Sequence, residues 1–270
     1  MKASKVLRRY VWVLALSIST AGILAQTATD TFKPTVGQAG KDVVWVPSPQ
    51  LLVDQMLDVA KVTAQDYVID LGSGDGRTVI TAAKRGATAL GIEYNPDMVA
   101  LSQRNAKEAG VTAKATFVKA DIFESDFSKA TVITMFLLPD LNIRLRPKIL
   151  DLKPGTRIVS NSFTMGEWQP DETINVGGEC QSWCTALFWL VPAKVQGTWK
   201  LPTGELALKQ EFQMVTGTLT NNGKALPVSE GKLRGDQITF TAGGAQYTGR
   251  VNGNAIELMG PGGATRATRS

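Results

Sequence analysis

The chemistry on offer in this sequence sits in one run of alternating glycines and the acids that follow it. Tyr67–Arg77 reads YVIDLGSGDGR: an apolar run, Asp70, then Gly72, Ser73, Gly74, Asp75 and Gly76. Glycines let a backbone take φ > 0 and let a ligand approach it, so this reads as a buried parallel strand ending in a tight turn, with a helix starting near Gly76. The dinucleotide fingerprint G-x-G-x-x-G would need its third glycine at position 77, which is Arg77, and the Lys-Ser/Thr of a phosphate loop is missing. Alone, the turn could be a Gly-rich hairpin. Glu93, 17 residues beyond Gly76, ends the next apolar run and is placed to accept from both hydroxyls of a ribose. Asp121 ends a third run and could accept from the exocyclic amine of an adenine. Asp140 follows a fourth, Phe136-Leu137-Leu138-Pro139. Singly, each acid reads as a solvated strand end; in this order after a glycine turn they describe a nucleoside site that demands no phosphate.

Alternating strands and helices must position these groups. Ser48 reads as an N-cap with Pro49 at the first helical position, and Leu52, Met56, Val59 and Ala60 share one face. Strands are expected at Tyr67–Leu71, Thr88–Ile92, Ala115–Lys119, Thr131–Phe136 and Arg157–Ser162, with two more at Thr173–Val176 and Thr185–Val191. Helices are expected at Thr78–Arg85 and from Asn95-Pro96-Asp97 to Gly110. A further helix runs from Leu138 to Leu152, kinked or split by Pro147, with Asp140 better placed as its N-cap than as a base. This alternation implies a parallel, doubly wound sheet whose ligand lies beyond the carboxyl ends of the strands. From about Gly197 the texture changes to short alternating runs between Asn-Gly and Gly-Gly turns, which reads as a small all-β module, a hairpin sheet or little barrel over 197–259. Residues 260–270, with Arg266 and Arg269 among Gly, Thr and Ala, read as a disordered tail.

The 270 residues are 43% hydrophobic and 20% charged, which suits a cored protein. Residues 1–25 resemble a signal peptide or N-terminal anchor: Lys2, Lys5, Arg8 and Arg9 precede the uncharged apolar stretch Tyr10–Leu24, and small residues near Ala21 and Ala25 suit a peptidase. Residues 26–44 read as a linker. The expected location is therefore export (periplasmic or extracellular) or anchorage through residues 10–24, with a cytoplasm-facing anchor left open. The net charge of +5 falls to +1 outside residues 1–25, so the basic pI is targeting charge, and nucleic acid is not an expected partner. Cys180 and Cys184 could pair only across a turn, because ~13 Å would separate them on a straight strand. Free buried cysteines are the alternative. The sequence has no histidine, so a C-x-x-x-C spacing makes a poor metal site.

Between roughly Val44 and Val191 the sequence resembles the class I S-adenosylmethionine-dependent methyltransferases, on Asp70-Leu-Gly72-Ser-Gly74-Asp75-Gly76 combined with Glu93 and Asp121. Val46-Pro47-Ser48-Pro49, DLGSGDGR and Phe136-Leu137-Leu138-Pro139 resemble the small protein-lysine methyltransferases and their bacterial relatives. The resemblance implies S-adenosyl-L-methionine as cofactor and a seven-stranded Rossmann-like sheet with a reversed last hairpin over 45–194. It places Gly72, Gly74 and Gly76 at the methionine part of the cofactor, Glu93 at the ribose, and Asp121 with Ile122 at the adenine, with Asp70 and Ser73 also among the cofactor-binding residues. Phe136, Pro139 and Asp140 would form the acceptor wall, with Trp45 and Tyr94 as contributors, although Phe136–Leu138 could equally be core packing. A protein lysine is the favoured acceptor; a small-molecule acceptor, or an exported nucleoside-binding protein without turnover, are the alternatives. The Asn/Asp-Pro-Pro-aromatic segment of amino-methylating DNA enzymes is replaced by Leu-Leu-Pro-Asp, and neither cysteine lies near the fourth strand to attack a cytosine. Export would carry the domain away from where its cofactor is made.

Overall fold

The computed structural model describes residues 32–270; the leader or anchor expected over 1–25 lies outside them. Seven strands form the first sheet: β1 (Tyr67–Leu71), β2 (Thr88–Glu93), β3 (Ala115–Lys119), β4 (Val132–Met135), β5 (Arg157–Asn161), β6 (Glu172–Asn175) and β7 (Thr185–Leu190). Their spatial order is β3-β2-β1-β4-β5-β7-β6, parallel through β5, with β7 antiparallel to both neighbours. The order reverses between β1 and β4, which opens a crevice at their carboxyl ends.

Helices α1 (Gln50–Val59), α2 (Arg77–Lys84), α3 (Pro96–Glu108) and α4 (Pro139–Leu150) cover this sheet. Leu52, Val53 and Leu57 of α1 are buried with Val68, Val79, Val132 and Val159 on one face; Leu141, Leu145 and Ile149 of α4 are buried with Ile69, Ile133 and Ile158 on the other. α3 starts as expected, the Asn95 side chain accepting from the Asp97 N–H at 2.8 Å. Two helix-start expectations are overturned. Ser48 does not cap α1: its hydroxyl accepts from Asn161 Nδ2 at 2.9 Å, and its carbonyl from Arg77 Nη1 at 2.7 Å. Asp140 does not cap α4, whose N-cap is Leu138; Asp140 is exposed in the first turn, where the helix dipole favours an acid. Nor does Pro147 split α4. It lies on the exposed side, where the hydrogen bond it removes can be replaced by water.

The second module is a closed antiparallel barrel of eight strands: β8 (Gly197–Leu201), β9 (Gly204–Glu211), β10 (Met214–Asn221), β11 (Lys224–Arg234), β12 (Gln237–Ala242), β13 (Ala245–Asn252), β14 (Ala255–Gly260) and β15 (Gly263–Arg269). Trp199, Leu206, Leu219, Leu233, Ile238, Phe240 and Ile256 fill its interior. The expected disordered tail is instead β15, which closes the barrel by pairing with β8. Only Ala267 of that strand is buried, so no apolar pattern marked it; pairing on both sides orders it, and the Arg269 guanidinium lies 4.3 Å above the Trp199 ring. In β11, Pro227 and a bulge near Glu230 and Gly231 break the alternation of apolar and polar residues. The barrel docks on the far edge of the first sheet. Trp168 stacks on Phe212 with ring centres 6.1 Å apart, and Gln213 Nε2 donates to the Gln169 carbonyl at 2.8 Å.

Residues 32–44 are not a spacer. Gly37 and Trp45 are joined by a main-chain hydrogen bond of 2.9 Å, and Gln38–Val44 form one wall of the crevice.

Candidate active site

The crevice at the β1/β4 switch point holds a cavity of about 220 Å³. Its floor is the glycine turn. At Gly74, φ is +53°, and a Cβ there would sit 2.8 Å from Trp45 Nε1, so only glycine lets the indole close over the turn. Gly72 and Ser73 also line the cavity, and the Ser73 hydroxyl is buried without a hydrogen-bond partner. Gly76 does not reach it. It caps α2 from below, where an added Cβ would meet Phe117 and Ser102 at 2.7 Å, so its part is close packing of turn on sheet. Arg77 bolts the turn to the N-terminal wall: Nε and Nη2 grip Asp75 at 3.0 and 2.6 Å while Nη1 donates to the Ser48 carbonyl.

Glu93, at the end of β2, is fixed by two main-chain donors, Gly74 N–H to Oε2 at 3.0 Å and Asn95 N–H to Oε1 at 2.8 Å. Each oxygen keeps acceptor capacity, so two hydroxyls could be taken side by side. Asp121 and Ile122 line the far side. The Asp121 carboxylate bonds the Lys41 ammonium, which holds its pKa below the ordinary value and raises that of Lys41. Lys41 also sits 4.9 Å over the Tyr94 ring, so the loop reaches across the mouth of the cavity.

Asp70 is buried at the end of β1, its Oδ1 accepting from the Thr134 hydroxyl at 2.6 Å. Burial pushes its carboxyl up to about 7, the Thr134 bond opposes that, and the nearby Asp75 and Glu93 charges add to it. With Asp42, Asp75, Glu93 and Asp121 also on the lining against Lys41 and Arg77, the cavity favours a cation.

The acceptor wall differs from expectation. Phe136 lines the cavity, with Leu137, Leu138 and Leu141, but Pro139 and Asp140 are exposed outside it, because the backbone turns outward to begin α4. In their place stand Phe163 and Trp183. The ring centres are 5.9 Å apart for Phe136–Phe163, 5.7 Å for Phe136–Trp183 and 5.2 Å for Phe163–Trp183. Phe163 is held by its carbonyl, which accepts from Ser160 Oγ at 2.7 Å and Asn142 Nδ2 at 3.2 Å. Trp183 stands in the β6–β7 loop between Cys180 and Cys184, which are disulfide-bonded across a turn with Cα atoms 5.9 Å apart. Neither aromatic was anticipated; a tryptophan between two cysteines in a polar loop was the one signal available.

These residues fit S-adenosyl-L-methionine. The glycine turn admits a ligand where side chains would block it, the Ser73 hydroxyl within it is buried without a partner, and Glu93 offers a fixed carboxylate with acceptor capacity on both oxygens. The lining acids suit the cofactor's sulfonium and ammonium charges. When bound, this cofactor supplies an electrophilic methyl group.

Comparison with known proteins agrees. The ANTKMT methyltransferase domain family matches residues 70–172. A protein-lysine N-methyltransferase of Saccharolobus islandicus is 47% identical over 137 residues, covering 50% of this chain and 85% of the relative. The adenine nucleotide translocase lysine N-methyltransferase of Mus musculus is 34% identical over 112 residues, but the match spans only 49% of its length and 41% of this chain. Among solved structures, an RNA methyltransferase from Salinibacter ruber in complex with S-adenosyl-L-homocysteine superposes with a TM-score of 0.52 at 46% identity, covering 56% of this chain and 96% of that one. The sheet order, the glycine turn with its facing carboxylate, and a relative matched over most of its length lead to one assignment: the chain belongs to the class I S-adenosyl-L-methionine-dependent methyltransferases.

Proposed function

We propose that this chain methylates the Nζ of a lysine in a protein. The observation that carries this is the acceptor end of the cavity: Phe136, Leu137, Leu138, Leu141, Phe163 and Trp183 present apolar surface and no side-chain base. A lysine must lose its proton before it can attack a methyl group, and desolvation among such groups lowers its pKa from ~10.4, so the apolar wall does the work of a general base. Glu93, Asp121 with Ile122, and Gly72 to Gly74 hold the ribose, adenine and methionine portions of the cofactor. What remains for the wall is to set the nitrogen ~3–3.5 Å from the methyl carbon and in line with the leaving group. The names of the Saccharolobus and mouse relatives support this acceptor class.

The Salinibacter structure, named as an RNA methyltransferase, favours a second reading in which RNA is the acceptor. The net charge of +1 outside residues 1–25 weighs against it. Incubation of the full chain with a lysate and methyl-labelled cofactor separates the two. Label should appear as methyl-lysine in the hydrolysed protein fraction and vanish with Glu93→Ala. Label in RNA or in a small metabolite instead would refute the lysine reading.

We also propose that the domain works outside the cytoplasm, exported or anchored through residues 10–24. The disulfide supports this, since such bonds persist in oxidising compartments. A reporter fusion active on only one side of the membrane tests it, and a cytoplasmic signal alone would refute it.

A further inference from the structure

Trp183 is 41% exposed, yet its ring meets both Phe136 and Phe163 at the cavity, and its backbone has φ of +58°. A bulky L-residue takes that conformation only where the surroundings impose it. Here the constraint is visible. The loop between β6 and β7 is cinched at its base by the Val176 N–H to Cys184 carbonyl bond of 2.8 Å and within by the Cys180–Cys184 disulfide, and Trp183 is the residue next to that bridge. Phe163, by contrast, is held from the protein interior through Asn142 and Ser160, and Phe136 continues directly from β4. Two rings therefore belong to the sheet and the third is delivered by a cross-linked loop.

Three aromatic rings around one end of a cavity, with no carboxylate among them, form a site for a cation that also carries carbon, because ring faces attract positive charge while their edges pack methyl groups. We propose that Trp183 completes an acceptor subsite selective for alkylammonium heads, and that the Cys180–Cys184 disulfide positions it. This deepens the lysine reading above and rests on it. The two effects act at different stages: desolvation disfavours the hydrated primary ammonium so that its proton leaves to solvent, and the rings then stabilise the positive charge that develops on nitrogen as the methyl bond forms and that the methylated head keeps, so that a partly methylated lysine stays in place for a further transfer. Reduction by a small dithiol would switch it off: the reagent supplies two electrons and two protons, the S–S bond becomes two thiols, and the reagent is oxidised to its own disulfide. Freed of the bridge, Trp183 can relax to negative φ and leave the other two rings.

The test uses two probes of equal shape, choline, whose trimethylammonium stands for a fully methylated lysine head, and its neutral carbon isostere 3,3-dimethylbutan-1-ol. Each is titrated into the full-length protein loaded with S-adenosyl-L-homocysteine, following the indole N–H resonance of Trp183 assigned with Trp183→Phe. Choline should shift that resonance at about tenfold lower concentration than the alcohol, the preference expected for a partly desolvated cation over aromatic faces. A second choline-induced shift, in Phe163 or Phe136 ring resonances, should persist in Trp183→Phe and be lost in Trp183→Ala. Dithiol-treated wild type should match Trp183→Ala while still binding S-adenosyl-L-homocysteine. Equal affinity for the two probes, or a preference untouched by reduction, overturns the proposal alone. Loss of S-adenosyl-L-homocysteine binding on reduction also overturns it, since the bridge would then hold the fold and not the ring. Failure of the untreated protein to bind S-adenosyl-L-homocysteine at all would instead remove the methyltransferase reading beneath it.

Discussion

Glu93 offers the sharpest quantitative test of the site. Its carboxylate is held by the Gly74 and Asn95 amides at 3.0 and 2.8 Å, so it is oriented before any ligand arrives and no side-chain entropy need be lost on binding. Hydrogen bonds to a charged acceptor contribute ~1.5–3 kcal/mol each, and a ribose offers two hydroxyls. Glu93→Ala should therefore cost ~3–6 kcal/mol of cofactor affinity, a rise in Kd on the order of 10²- to 10⁴-fold. Glu93→Gln keeps the shape and one acceptor oxygen but turns an NH2 toward one of the two amide donors. It should lose less affinity, roughly 10- to 100-fold, with some loss of thermal stability from the opposed donors. Calorimetric titration with S-adenosyl-L-homocysteine, which cannot turn over, measures both variants. A circular-dichroism melt of each unliganded variant separates misfolding from lost contact. A folded Glu93→Ala protein that binds within twofold of wild type would refute the ribose assignment.

Three further outcomes follow from the same geometry. Asp70, whose burial pushes its carboxyl from 3.8 to about 7, binds its proton more tightly folded than unfolded; its contribution is thus fully present below the unfolded value and is lost as pH rises through about 7. The change is on the order of 4 kcal/mol, and Asp70→Asn should flatten urea-derived stability between pH 4 and 7. An unchanged slope would refute it. Gly74→Ala combines φ of +53° with a 2.8 Å approach to Trp45, so it should lower Tm by ~2–8 °C and weaken cofactor binding together, and an unaltered Tm would refute the close-packing account. Phe212→Ala removes the Trp168 stack and the face over which Arg146 sits at 5.1 Å, so barrel and sheet should uncouple; calorimetry should then show two unfolding transitions in place of one, and a single unshifted transition would refute the docking role.

The primary structure by itself determined the sheet, the turn and the cofactor. Strands such as Tyr67–Leu71 and Ala115–Lys119 are apolar runs closed by an acid or a turn, and Asn95-Pro96-Asp97 starts a helix through local bonds that need no partner elsewhere. The order of Asp70, the glycines, Glu93 and Asp121 is legible because each lies at the end of its own strand, and a parallel sheet brings strand ends together whatever the connections contain. Tertiary structure decided what depends on contacts distant in sequence. Asp140 and Pro139 were adjacent to Phe136 in sequence, yet the outward start of α4 takes them off the cavity, while Phe163 and Trp183 arrive from β5 and a disulfide loop. Lys41 became a partner of Asp121 only when the N-terminal wall folded over the crevice. β15 shows the same logic in the second module. A strand with a single buried alanine has almost no hydrophobic signal of its own, and its order comes from closing the barrel by pairing with β14 on one side and β8 on the other.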